Sequence, residues 1–151
     1  LKEKDLNLVI CGDGPELEKL ISFATEKKIK SNVHFIGSVE NVFPWIRGSL
    51  YCLMSSTSEA FPMFVLESFA LNKLMVSTPT KGYLEIANND ISFSSTSIED
   101  ISSYVNMMRL ALKKKNDEKI MKKINCRISD FSKTSIVNQY TTLINSICGK
   151  D

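Results

Sequence analysis

Two glutamates, Glu59 and Glu67, interrupt the stretch SSTSEAFPMFVLESFALNK, in which a hydroxyl-rich run turns into an apolar one. An unpaired carboxylate is costly to bury among apolar side chains, so Glu67 requires a polar partner. Carboxylates accept paired hydrogen bonds from hydroxyl groups. The two residues therefore predict a site for a ligand with hydroxyls, although a solvated loop residue and a polar helix face explain the spacing alone equally well.

Between the two glutamates the sequence predicts the start of a helix and, with it, an anion site. Pro62 suits the first helical position, since its missing N–H would have no partner there. The amides of residues 63 to 65 are then free to hold an anion. Glu67 lies about 7 to 8 Å along the helix, at 1.5 Å per residue, while Glu59 stays in the loop ahead. A sugar nucleotide, with hydroxyls at both ends and phosphate between them, fits this arrangement.

Short apolar runs rich in β-branched residues alternate with helical patterns along the chain. The predicted strands are residues 6–11, 32–37, 50–55 and 74–78, with a weaker one at 91–94, and the predicted helices cover 15–28, 42–47 and 62–71. Parallel strands need long crossover connections, so the alternation predicts an α/β fold with a doubly wound parallel sheet. Ligands bind at the carboxyl ends of such strands, where residues 55 to 59 fall. Helical patterns at 98–115, 117–131 and 132–148 predict a helical C-terminal extension.

Length and composition predict one domain, because 151 residues with 43% hydrophobic side chains can bury a single core. A net charge of +2 gives no indication of nucleic acid binding. The cysteines form no CxxC pair, and Cys11 and Cys52 lie in apolar runs, which favours buried thiols in a reducing compartment. Without a signal peptide, a membrane-spanning run or an initiator Met, the chain is expected to be a piece of a longer cytosolic protein.

The central stretch closely resembles the E-x7-E signature of the retaining glycosyltransferases with the GT-B fold, the glycosyl transferases group 1 family, whose usual form is similar to S-x-x-E-G-F-P-x-V-x-x-E-A. The resemblance extends to VICGDGPELEKL (9–20), VHFIGSVENVFPWI (33–46), GYLEIA (82–87) and DFSKTSIVNQYTTLI (130–144), nearly the whole chain. It implies a Rossmann-like domain over residues 1–151, the C-terminal, donor-binding half of such an enzyme.

The resemblance also implies roles for individual residues. Glu59 would contact the donor sugar near its reacting end, as the catalytic residue, and Glu67 would hold the ribose hydroxyls of the nucleotide. Main-chain groups would contact the sugar and diphosphate, the base, and the rest of the nucleotide. The donor-binding residues implied in this way are Glu67, Phe61, Pro62, Met63, Phe64, Val65, Gly12, Gly14, Gly37, Ser38 and Val39.

The activity implied by the resemblance is retaining transfer of a hexose-type sugar from a nucleoside diphosphate sugar to a saccharide or lipid-linked acceptor. UDP-sugar is favoured over GDP-sugar, and surface polysaccharide or glycoconjugate synthesis is the implied setting. No cofactor or metal is expected, and no Asp-x-Asp metal motif occurs. A non-catalytic nucleotide-sugar-binding or assembly module stays open as the alternative.

A basic cluster on the late helices leaves two interpretations open. In a lipid-acceptor enzyme it could contact an anionic membrane surface, which would place the full-length protein in the cytoplasm and at the inner face of the membrane. The interspersed Asp117 and Glu118 favour a solvated helix face instead. The cluster consists of Lys113, Lys114, Lys115, Lys119, Lys122 and Lys123.

The chain departs from the family pattern at three positions of the central stretch. Ala60 replaces the usual Gly and would be strained if its φ were positive. Asn72 replaces the Gly that ends the helix, and Asn tolerates that left-handed conformation. Leu74 replaces a Pro and preserves burial.

A larger departure lies upstream of residue 9. Family members carry a further strand and helix there, with an Arg and a Lys for the donor diphosphate, and the chain shows no match to them or to the acceptor domain. The missing strand would lie in the middle of the sheet. We therefore expect that the strands at 6–11 and 50–55 pair directly or that another chain fills the slot, and that the fragment alone is inactive.

Overall fold

The computed structural model describes residues 6–149, which form five strands, seven α-helices and one short 3₁₀ helix (Lys30–Asn32). The strands are β1 (Leu8–Cys11), β2 (Val33–Gly37), β3 (Cys52–Met54), β4 (Met75–Ser77) and β5 (Phe93–Ser94). The helices are α1 (Leu17–Glu26), α2 (Phe43–Gly48), α3 (Met63–Ala70), α4 (Lys81–Ile91), α5 (Ile101–Lys114), α6 (Glu118–Asp130) and α7 (Lys133–Cys148). The chain divides into two compact units, Leu1–Pro44 and Trp45–Asp151, so the expectation of one domain stays a prediction.

The first unit is a strand–helix–strand arrangement. Strands β1 and β2 pair in parallel, with Val9 opposite His34, and α1 connects them. The Leu17 N–H donates to the Gly14 carbonyl at 3.1 Å, which ties the start of α1 to the turn after β1. This turn follows the strand immediately, so the carboxyl ends of β1 and β2 are the edge at which the glycine-containing loops emerge.

The second unit contains a three-stranded parallel sheet in the order β3-β4-β5. Successive side chains of a strand point to opposite faces, yet Met75, Val76 and Ser77 are all fully buried. Both faces of β4 are therefore covered, as in parallel sheets generally, and α3 and α5 both contact this strand. The side chains of Phe69 and Tyr83 are fully buried as well.

Local sequence signals set the starts of the last three helices. Asp100 caps α5 by accepting the Ser103 N–H at 2.8 Å, and Ser132 caps α7 by accepting the Ser135 N–H at 3.2 Å. Asp117 caps α6, and its pKa is lowered chiefly by the Lys114 ammonium that bonds to it, with help from the capped amides. These caps define where the three helices of the predicted extension begin.

The parallel α/β fold and the helical C-terminal region are confirmed, with two corrections. The two sheets lie in different units, so the expectation that the strands at 6–11 and 50–55 pair directly, or that another chain fills the slot, stays a prediction. Cys11 is exposed rather than buried, because strand β1 is open to solvent along most of its length and its Leu8 and Val9 are exposed as well, whereas Cys52 is buried as expected. Residues 81 to 91 form a helix that the strand-and-helix assignment omitted.

The Tyr83 hydroxyl joins two neighbouring strands inside the core. It donates to the Met75 carbonyl at 2.8 Å and accepts the Phe93 N–H at 2.9 Å. Burial raises the pKa of Tyr83 to about 12, because the charged phenolate is poorly solvated there. One side chain of α4 thus satisfies main-chain groups of both β4 and β5.

We predict that Tyr83→Phe lowers the free energy of unfolding by about 1–3 kcal/mol, because it removes two buried hydrogen bonds to main-chain groups. Tyr140→Phe is the matched control, since Tyr140 is 63% exposed, and it should change stability by less than about 0.5 kcal/mol. Urea unfolding followed by circular dichroism measures both. Equal stability of the two variants would contradict the assigned hydrogen bonds.

The same bonds predict a loss of stability at alkaline pH. The pKa of Tyr83 is higher folded than unfolded, so its contribution is complete below about pH 10 and is lost as pH rises toward 12. Tyr83→Phe should remove that part of the alkaline dependence and retain the part due to Tyr104, whose burial also raises its pKa to about 12. Unfolding curves between pH 8 and 12, in which the variant lost as much stability as the parent chain, would contradict this assignment.

Candidate functional site

The loop after β3 holds the first of the two glutamates. The Ser56 hydroxyl donates to Glu59 Oε1 at 2.7 Å, which orients the half-buried carboxylate. The Thr78 hydroxyl, just after β4, donates to the Ser56 carbonyl, and the Thr78 N–H donates to the Met54 carbonyl at 3.1 Å. The loop that carries Glu59 is therefore fixed to the carboxyl ends of β3 and β4.

The first turn of α3 provides fewer free amides than the sequence predicts. The helix begins at Met63, with Pro62 as its N-cap rather than its first helical residue. The Val65 N–H donates to the Pro62 carbonyl at 3.1 Å, so the expectation that this amide is free is wrong. Within residues 6–149 the amides of Met63 and Phe64 have no hydrogen-bond partner, and they are the two donors left at this helix terminus.

Glu67 lies on α3 away from the core, which answers the question raised by its apolar neighbours. The buried side of the helix carries Val65, Ser68 and Phe69, and 3.6 residues per turn places Glu67 on the other side. Its side chain is half-buried, and in the described part of the chain it makes no hydrogen bond or ion pair. The carboxylate is available to a ligand without being desolvated in the core.

The end of α3 confirms the expected role of Asn72 and removes the doubt about Ala60. Asn72 has a φ of 56°, and the N–H of Lys73 donates to the Ser68 carbonyl at 2.9 Å, which closes the helix in the usual left-handed way. Leu74 is 1% exposed, as expected. Ala60 is not among the described residues with positive φ, so its methyl group causes no backbone strain.

In the first unit, the predicted glycines meet at the ends of two strands. The Gly12 N–H donates to the Gly37 carbonyl at 2.7 Å, and Gly37 has a φ of 70°, a conformation that favours glycine. Gly14 follows in the same loop, Ser38 is exposed and Val39 is half-buried. This unit thus brings together the loops after β1 and β2, whereas the second unit brings together Glu59, the first turn of α3 and the end of β4; the ligand-binding roles of all these residues stay predictions.

The structure adds residues that the sequence analysis missed. Ser56 orients Glu59, and the hydroxyl-rich run ahead of the glutamate was the signal for it. Gly82 donates its N–H to the Glu59 carbonyl at 3.1 Å, a contact between residues 23 positions apart that no local pattern announces. Thr80, the N-cap of α4, is buried, and its hydroxyl has no hydrogen-bond partner within residues 6–149.

The residues that the structure describes contain neither a metal-binding cluster nor a membrane-spanning helix. Over residues 6–149, no group of three or more His, Cys, Asp or Glu side chains has the geometry of a metal site. None of the helices described is long and apolar enough to cross a bilayer.

The parallel strands, connected through helices and followed by loops at their carboxyl ends, define a Rossmann-like class of α/β fold. The family model described as glycosyl transferases group 1 matches residues 1–126. The chain belongs to this glycosyltransferase family. Its fold matches that of the lipopolysaccharide outer core galactosyltransferase WaaB in its apo form, a GT-B structure, with a TM-score of 0.77 over 96% of this chain and 41% of that chain, at 19% identity.

Two curated relatives illustrate the similarity. The N-acetyl-alpha-D-glucosaminyl L-malate synthase of Bacillus anthracis is 25% identical over 99% of this chain and 40% of its own length. The O-antigen biosynthesis glycosyltransferase WclY of Escherichia coli is 29% identical over 76% of this chain and 33% of its own length. The chain therefore spans less than half of either relative.

We predict that Asn72→Ala lowers the free energy of unfolding by about 1 kcal/mol, because an Ala side chain is disfavoured at positive φ. Asn72→Gly serves as the paired variant, since glycine adopts this conformation without steric cost, and its stability should equal or exceed that of the parent chain. Chemical unfolding of both variants measures the difference. If Ala proved as stable as Gly at this position, the left-handed end of α3 would be contradicted.

Proposed function

We propose that the chain is the donor-binding part of a retaining glycosyltransferase that uses a nucleoside diphosphate sugar, with UDP-sugar favoured. The observation that carries the proposal is the geometry around α3. An oriented carboxylate, Glu59, precedes two free amides, and a second carboxylate without a described partner, Glu67, follows them on the outer side of the same helix. A ligand with hydroxyl groups at both ends and phosphate between them matches this order, because the carboxylates accept from the hydroxyls and the amides donate to the phosphate.

Each group has a distinct task in the proposed site. Glu67 accepts hydrogen bonds from the ribose hydroxyls, and the free amides of α3, at the positive end of the helix dipole, bind the diphosphate. Glu59 accepts hydrogen bonds from hydroxyls of the sugar and so orients the anomeric carbon of the sugar. The bond from that carbon to the diphosphate breaks as the bond to the acceptor oxygen forms, and the proton of the acceptor hydroxyl passes to the departing diphosphate. The negative charge therefore grows where the amides point.

Lys81 provides a positive charge that can stabilise the departing diphosphate. It precedes Gly82, whose N–H bonds to the Glu59 carbonyl, and its exposed ammonium has no partner among the residues described. A nearby positive charge would stabilise the leaving group in the absence of a metal. No metal is part of the proposed reaction.

The relatives support the proposed setting in surface polysaccharide or glycoconjugate synthesis. One is named for O-antigen biosynthesis, another as an N-acetyl-alpha-D-glucosaminyl L-malate synthase and a third, from Saccharomyces cerevisiae, as a phosphatidylinositol N-acetylglucosaminyltransferase subunit. The compounds in these names differ widely, while each relative matches this chain over only part of its own length. We infer that the acceptor, a saccharide or a lipid-linked one, is chosen largely by the rest of the full-length protein, which would meet its acceptor at the inner face of the membrane.

We predict that the chain binds UDP or GDP and their sugar conjugates, and that Glu67→Gln weakens this binding about tenfold or more, because hydrogen bonds to a charged acceptor are lost. An NMR titration with each nucleotide measures the affinity and identifies the base. Shifts should concentrate at residues 61 to 67.

Glu99→Gln is the matched control, since Glu99 is an exposed loop residue whose carboxylate has no described partner. It should bind nucleotides as the parent chain does. Equal weakening by the two substitutions, or no shift with any nucleotide at millimolar concentration, would contradict the proposed donor site. Binding without turnover by the full-length protein would instead favour the non-catalytic module.

A further inference from the structure

The loop that carries Glu59 is held on one side by the start of α4. The Gly82 N–H donates to the Glu59 carbonyl at 3.1 Å. A Cβ atom at Gly82 would lie 2.5 Å from the Ala60 carbonyl oxygen and 2.8 Å from that of Glu59, both of which are main-chain atoms that cannot rotate away. The other five glycines have no such neighbour within 4 Å. Glycine is therefore required at position 82 by the close approach of another stretch of backbone.

On another side the same loop is held by the end of α6. The Phe61 ring, two residues after Glu59, contacts the Phe131 ring, with 5.8 Å between centroids and a tilted geometry that aromatic pairs favour. Phe61 is 46% exposed, so this ring contact is a principal constraint on its position. Phe131 is half-buried and directly follows α6.

Arg127 connects α4, the helix that contains Gly82, with the Phe131 ring. Its Nε and an Nη donate to the carbonyls of Ile86 and Glu85 on α4, at 2.9 and 2.7 Å. Its guanidinium lies 4.7 Å from the centre of the Phe131 ring, and its other Nη bonds to Asp130 at 2.8 Å. The two carbonyls precede Asn88, where α4 is interrupted by a φ of 48°, so Arg127 satisfies acceptors that the helix itself leaves open.

We propose that Gly82 and Phe131 are positioning residues for Glu59, and that Arg127 couples them. The proposal rests on the proposed function, because it assigns these residues to the sugar-binding end of the donor site. Neither residue contacts the donor. They set where the segment from Glu59 to Pro62 lies, and hence where the Glu59 carboxylate meets the sugar.

The proposal separates two parts of the donor. Glu67 lies within α3, whose buried side is packed in the core, so nucleotide binding should not depend on Gly82 or Phe131. Glu59 lies in the loop that they hold, so the extra affinity that the sugar contributes should depend on both. A general loss of folding would weaken both parts alike, which makes their ratio the informative quantity.

The test uses the 151-residue chain with UDP, UDP-N-acetylglucosamine and UDP-galactose as probes, and compares the affinity for each sugar conjugate with that for UDP. Phe131→Leu retains an apolar side chain and removes the ring. It should reduce the ratio of sugar-conjugate to UDP affinity about tenfold while leaving UDP affinity within about twofold of the parent value. Phe23→Leu is the matched control, with a ring that is 55% exposed, and should leave both affinities unchanged.

Gly82→Ala tests the other contact, with Gly48→Ala as its matched control in the same unit, since a Cβ at Gly48 meets no atom within 4 Å. Without any ligand, Gly82→Ala should shift the amide resonances of Glu59 and Ala60, and Gly48→Ala should leave them in place. With ligand, Gly82→Ala should reduce the same affinity ratio. If Gly82→Ala does not fold, the proposal is tested with Phe131→Leu alone, through its affinity ratio and through the shift of its Glu59 amide resonance without ligand.

Three outcomes would overturn the proposal. The first is unchanged Glu59 and Ala60 resonances in both Gly82→Ala and Phe131→Leu. The second is an unchanged ratio of sugar-conjugate to UDP affinity in these variants, and the third is an equal loss of both affinities. Failure of the proposed function is a different result. In that case the parent chain itself binds none of the probes, while the ligand-free resonances still report whether Gly82 and Phe131 hold the loop.

Discussion

The fully buried strand β4 is the constraint on which the second unit depends. Both of its faces are covered, so every main-chain group at its ends requires a partner inside the protein. The hydroxyls of Tyr83 and Tyr104 supply partners at the carbonyls of Met75 and Val76, and Thr78 continues the same bonding into the neighbouring loop. The loop with Glu59 is thereby ordered as a consequence of how the core strand is satisfied.

A second consequence concerns the placement of charge. Helix α3 must bury Val65 and Phe69 against the sheet, and its turn geometry then directs Glu67 to the outer side. The same helix ends at a left-handed Asn72 and begins after a proline, so both of its ends are defined by residues suited to them. The free amides of Met63 and Phe64 and the carboxylates of Glu59 and Glu67 therefore lie near this helix, and neither carboxylate is buried in the core.

Much of this arrangement follows from local patterns. The strands, the helices of the C-terminal region and the tolerance of Asn72 for its conformation depend on residue types within a few positions, and the structure confirms them. The burial of whole strands was harder to predict. Cys11 was expected to be buried because its run is apolar, but three of the four residues of β1 are exposed, since burial depends on what covers the strand.

The sequence by itself determined the parallel α/β fold, the positions of the two glutamates relative to α3 and the family, because periodicity, turn residues and motif spacing are properties of neighbouring residues. Only the tertiary structure decided that Gly82 approaches Ala60 within a distance that excludes any side chain and that Phe131 contacts Phe61. These contacts join residues 22 and 70 positions apart. Their geometry depends on the packing of α3, α4 and α6 around one sheet, which no short pattern of residues encodes.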